Sequence, residues 1–310
     1  MTKTTPRRSL PMDIAPFAPL LRFQNFAARP DAQIDLTEGA LMMADIAYSE
    51  VNPAHYQFRL GALAGLVAET LGATAGRLRQ TPLLRQRIIA TRVLEAMRET
   101  LAEREGLTGN AEDYYDPRNS FLHETLDRGV GLPITLSAVY LDVGHRLNLP
   151  LRGVGMPAHF MIKWPLTREE GGDLYLDAFH GGKILDAREC RQFVLDLMSA
   201  NGAPPYFDPR WTAPLSTRGI LTRMLNNLKA IYLHRGETQL ALEVVERLVL
   251  LRPDMPEELR DRGLLRLAMG EALFAAADIA AYAERAPAAP EVGRLRRRMA
   301  ELREVRASLN

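Results

Sequence analysis

A histidine at 159 and an aspartate at 177 are the sharpest chemical pair in this sequence. "AHFMIKW" places His159, Met161 and Lys163 on one side of an alternating strand and Phe160, Ile162 and Trp164 on the other. "DLYLDAF" alternates too, with Tyr175, Asp177 and Phe179 sharing a side. The polar stretch "PLTREEGG" between them predicts a hairpin. A carboxylate beside an imidazole accepts its N–H, fixes the tautomer and leaves the second nitrogen as a base. The plainer expectation is a partly buried histidine tied to a structural carboxylate.

A base needs a nucleophile, and a helix N-terminus is where one is activated. "GVGLPITLSAVYLDVGHRLNLPLRGVGMPAHF" has that layout: a glycine-rich turn, an apolar helix, a short link and the strand of His159. The helix start is Pro133, which suits a first turn and attacks nothing. Thr135 and Ser137 follow within a turn as candidate hydroxyls, although buried hydroxyls commonly bond back to a helix carbonyl. Cys190 is the one thiol in the chain. Its setting, "LDARECRQF", predicts a structural place. Asp186 and Glu189 form a capping box, and Leu185 and Cys190 form a hydrophobic staple.

The elements that must hold these residues fall into three stretches. Residues 1–35 form a proline-rich arm that packs loosely or docks on the body. Residues 36–109 read as a helical layer, with Thr37 as an N-cap and a helix from Pro82 to Gly106. Residues 110–215 read as an α+β core, so the first domain runs 36–215. Residues 216–310 carry a repeat. Gly236 and Gly270, Ala241 and Ala275, Val245 and Ile279, and Pro253 and Pro287 share a 34-residue period, the tetratricopeptide spacing. Small residues let the paired helices approach, and proline stops the second helix. Tyr232 fills the aromatic position of the first unit, and Arg266 stands there in the second. "PEVGRLRRRMAELREVRASL" predicts a capping helix with a charged outer face.

Composition bounds the function classes. The 310 residues are 47% apolar and 25% charged, with net charge +1, which argues against nucleic acid or anionic membrane as dominant partners. The N-terminal stretch is too broken by proline for a signal-peptide core, and no apolar run reaches membrane-span length. One cysteine permits no intramolecular disulfide and no cysteine-based zinc site. The expectation is a cytoplasmic protein without cofactor or metal.

"YYDPRNSFLHETLDRGVGLPITLSAVYLDVGHRLNLPLRGVGMPAHFMIKW" and "LYLDAFHGGKIL" resemble the core of the SirB-type proteins, a bacterial branch of the transglutaminase-like superfamily. "RMLNNLKAIYLHRGETQLAL" resembles the junction at which that family continues into tetratricopeptide repeats. The resemblance implies a papain-like α+β core with a cysteine at the central helix start, a histidine opening the next strand and an aspartate on the strand after. Here those positions fall on Pro133, His159 and Asp177. His123 sits in a loop motif where that family more often has asparagine. The implied fold converges His159, Asp177, Tyr114, Asn119 and His180 on one concave site, with Gly181 and Gly182 turning at its rim. Arg223, Asn227 and Tyr232 are the candidate contacts of a repeat groove for a protein or peptide partner. Two functions follow. One is a binding or scaffold protein without thiol chemistry. The other is a non-standard hydrolase or acyltransferase with His159 as base, Asp177 as its orienter, and Thr135, Ser137 or water as nucleophile.

Overall fold

The computed structural model describes residues 18–77 and 82–308. The first part of the arm therefore lies outside the described residues. The second part is helix α1 (Ala18–Ala27), whose Phe23 and Phe26 are buried, with the Arg247 guanidinium over the Phe23 ring. This part of the arm docks and does not trail.

Helix α2 (Leu36–Met42) follows. Its cap is Asp35, which accepts the Glu38 N–H at 2.7 Å, and not Thr37. A carboxylate three residues ahead of that N–H is the better acceptor at a helix start. The Thr37 hydroxyl donates instead to Asp142 at 2.6 Å. Helix α3 (Pro53–Leu71) is capped by Asn52, and the short α4 spans Ala73–Arg77. The helix expected from Pro82 begins only at Arg87, as α5 (Arg87–Met97), and widens into π-type turns over Arg98–Arg104. The break at Gln86 leaves the Arg87 N–H free to donate to Glu170 at 3.1 Å.

A two-residue parallel pair, β1 (Thr108–Gly109) and β2 (Val130–Gly131), brackets α6 (Leu122–Arg128). His123 lies in α6 and not in a loop, and its buried ring stacks edge-on to Tyr48. The central helix α7 runs Pro133–Arg146 with proline in its first turn, as its sequence predicts.

Four antiparallel strands follow in sequence order: β3 (Arg152–Met156), β4 (His159–Trp164), β5 (Leu174–Asp177) and β6 (Lys183–Asp186). The strands β4 and β5 match the alternation. The hairpin partner β3 had no strand signal, because it carries two glycines. Both are required. A Cβ at Gly153 would run into the Phe160 ring, and one at Gly155 would run into the Arg223 guanidinium.

The sheet is buried on both faces. Phe160, Ile162 and Trp164 join the large core made with α7, the N-terminal helices and the first repeat. Val154, Met156, Met161 and Tyr175 form a second core against α8 (Ala187–Ala200). The capping box of Asp186 and Glu189 is formed, and Cys190 packs in that second core beside Leu185. This is the α+β architecture expected of residues 110–215.

Four helices then pair as two hairpins: α9 (Thr217–His234) with α10 (Thr238–Leu251), and α11 (Pro256–Ala268) with α12 (Ala272–Arg285). Gly236 and Gly270 turn each hairpin at positive φ, and Ala241 and Ala275 are wholly buried. Arg266, in the aromatic position, is held by Asp278 and Glu246, each at 2.9 Å, and lies over the Phe274 ring. Carboxylates thus replace the apolar contacts an aromatic ring would make. Helix α13 (Val292–Ser308) closes the stack, with Arg294, Arg296 and Arg297 exposed.

Candidate functional site

His159 is the first residue of β4, directly after a tight turn in which Ala158 has φ +53°. Asp177 ends β5. Ile162 pairs with Leu176, so the two site residues are not cross-strand partners. They share a face, and the imidazole reaches the carboxylate along the diagonal. Both are at most 5% exposed, and His159 Nε2 lies 3.0 Å from Asp177 Oδ2. That contact is bent, and Nε2 has no aligned hydrogen-bond partner among the described residues.

His180 supplies a second imidazole. Its Nδ1 lies 2.8 Å from the same oxygen, Asp177 Oδ2. The other carboxylate oxygen, Oδ1, accepts the backbone N–H groups of Phe179 at 3.1 Å and His180 at 3.3 Å. The turn is completed by the Gly182 N–H donating to the Asp177 carbonyl, with Gly181 and Gly182 both at positive φ. Burial pushes the Asp177 carboxyl up, but the two imidazoles more than offset this and hold it well below the usual carboxylate range. Hydrogen bonding to Asp177 raises His180. One donor atom from each of His159, Asp177 and His180 lies within 4.8 Å of the others, a geometry that can hold a metal ion.

Aromatic rings wall the cluster. Phe179 and Phe193 stand 6.2 and 5.0 Å from the His159 ring. Tyr114 meets Phe179 edge-on at 6.0 Å. Tyr114, His159, Asp177 and His180 therefore do gather at one place. Asn119 does not face it. Its side chain is fully buried, donates to the Asp113 and Tyr114 carbonyls, and accepts from Asn110, so it ties the preceding loop.

The candidate hydroxyls are not joined to the pair. Thr135 and Ser137 are wholly buried and neither has a hydrogen-bond partner among the described residues, so neither bonds to His159 and neither bonds back to a helix carbonyl. They lie on α7, most of whose buried apolar residues pack with Phe160, Ile162 and Trp164, the face of β4 opposite His159.

The repeat residues also separate. Tyr232 is 1% exposed in the large core and presents no surface to a partner. Asn227 is half-buried on α9. Arg223 donates through Nη2 to the carbonyls of Met156 and His159, both at 3.0 Å, and its guanidinium lies over the Phe160 ring. Its partner is this chain's own β3–β4 turn. Sequence reasoning missed that link, and it missed Phe193, whose only signal was apolar spacing along α8.

Residues 61–226 match the family model described as transglutaminase-like superfamily, and residues 228–300 match that described as tetratricopeptide repeat. The chain belongs to the transglutaminase-like superfamily, with a repeat region after the core. It is 30% identical over 280 residues to a UPF0162 protein of Xylella fastidiosa strain Temecula1, covering 90% of this chain and 94% of that one. It is 34% identical over 209 residues to a UPF0162 protein of strain 9a5c, covering 67% and 73%. It is 27% identical over 229 residues to the human F-box only protein 21, covering 69% of this chain and 35% of that one. No solved structure matches the chain at a significant level.

Proposed function

We propose that this protein is a SirB-type binding or scaffold protein of the cytoplasm. It recruits a protein or peptide partner through its repeats and does no thiol acyl transfer. The observation that carries the reading is the state of its one thiol. Cys190 is 1% exposed, sits 4.0 and 3.8 Å from the sulfurs of Met156 and Met161, and is pushed up to about 12 by burial. A thiolate nucleophile needs the opposite, an exposed and electropositive place. Pro133 opens α7, and the resemblance puts the family's nucleophile at that position. The repeat surface supports recruitment: Leu264, Leu273 and Phe274 of the second hairpin are exposed, and Phe274 lines a cavity of about 630 Å³ with Leu240 and Arg266. A lone free cysteine suits a reducing compartment.

The test compares the full chain with Leu273→Glu/Phe274→Glu as bait in a native lysate, alongside acyl-transfer and peptide-hydrolysis assays. A partner captured by the wild type and lost with the double variant is the expected result. Acyl transfer or hydrolysis that vanishes in His159→Ala would overturn the reading in favour of the hydrolase or acyltransferase.

A further inference from the structure

We propose that His159, Asp177 and His180 form a binding site for one divalent transition-metal ion of the zinc class. The site stands independently of the partner-binding reading. Its first support is geometric. Donors held at about 2.0–2.1 Å around a tetrahedral ion are about 3.3 Å from one another. Asp177 Oδ2 already lies 3.0 Å from His159 Nε2 and 2.8 Å from His180 Nδ1. An ion entering between them needs shifts of only a few tenths of an ångström along these two edges.

The second support is an orphaned atom. His159 is 5% exposed, and its Nε2 is buried 3.0 Å from the carboxylate without an aligned hydrogen-bond partner among the described residues. A buried imidazole nitrogen left so is costly, and a metal ion satisfies it as a lone-pair acceptor. The third support is the surrounding shell. Asp177 Oδ1 is fixed by two backbone N–H groups, which leaves Oδ2 to face the two imidazoles. Such outer contacts orient metal ligands in functioning sites.

Two imidazoles and one carboxylate suit zinc or a neighbouring divalent ion, not magnesium or calcium, which take oxygen donors. Three protein ligands leave one coordination position open. His180 is half exposed and marks the route of entry. Phe179 and Phe193 flank the ligand rings and limit water around them.

The experiment uses the full, untagged chain, stripped with a chelator and dialysed. Zinc chloride is titrated by calorimetry and cobalt(II) by visible absorption. The expected result is one ion per chain, with a tetrahedral cobalt spectrum. His180→Ala and His180→Gln, changes at a half-exposed position, weaken binding by about tenfold or more, the scale lost even with an outer-shell partner. His145→Ala, at an exposed histidine on α7, leaves it unchanged. Absence of saturable one-to-one binding overturns the proposal. So does binding that persists unaltered in both His180 variants.

Discussion

Arg223, on the first helix of the repeat region, donates to the backbone carbonyl of His159 at 3.0 Å. The same Nη2 also holds the Met156 carbonyl, so one guanidinium closes the β3–β4 turn that aims the imidazole. The repeats and the candidate site are thus mechanically joined, and the sheet edge is held from outside the core. Arg223→Ala should destabilise the protein by roughly 2 kcal/mol, because two carbonyls lose a charged donor. Urea denaturation measures the loss, and amide exchange should localise the loosening to the turn around His159. Unchanged exchange there would show that the turn holds itself.

Cys190 should behave as packing and nothing more. The thiol should resist a disulfide-exchange reagent in the folded protein and react once the chain is unfolded in denaturant. Cys190→Ala should cost about 1 kcal/mol through the small cavity left beside Met156 and Met161. Partner capture should be unaffected. Rapid modification of the native thiol would contradict its place in the core.

Asp177→Asn tests the buried carboxylate. Asparagine keeps an acceptor for the turn N–H groups but removes the charge between two imidazoles. A loss of about 1–3 kcal/mol is expected near neutral pH. Because the folded carboxyl titrates below its ordinary value of 3.8, its contribution is present above that pH and is lost as pH falls through the folded value. The stability gap between wild type and Asp177→Asn should therefore close on acidification below pH 3.8. A gap that is constant with pH would mean that charge is not the cause.

His180 should show the opposite dependence. Asp177 raises its folded value above the ordinary 6.5, so its contribution is full below pH 6.5 and is lost as pH rises through the folded value. In the presence of chelator, the difference in melting temperature between wild type and His180→Ala should be largest below pH 6.5 and shrink toward alkaline pH. A difference that grows with pH would refute the ion pair.

The sequence alone determined whatever depends on local period and chain chemistry. The alternation in "AHFMIKW" and "LYLDAF" set the strands and put His159 and Asp177 on one face, because strand side chains alternate. The capping box fixed the start of α8, and the 34-residue period fixed both helical hairpins, because those signals act within a turn or between adjacent helices. The same local reading failed where a residue's partner is distant in sequence. Thr37 turned from a cap to an α7 contact, and β3 became a strand despite its glycines because Phe160 and Arg223 need the room. Only the tertiary structure decided the site itself. It set His180, expected nearby, and His159 on the same oxygen of Asp177, separated Thr135 and Ser137 from them, buried Tyr232 and committed Arg223 to the chain's own turn. Those outcomes depend on strand register and on which buried groups the packed elements bring within about 3 Å of one another, and no sequence period encodes that distance.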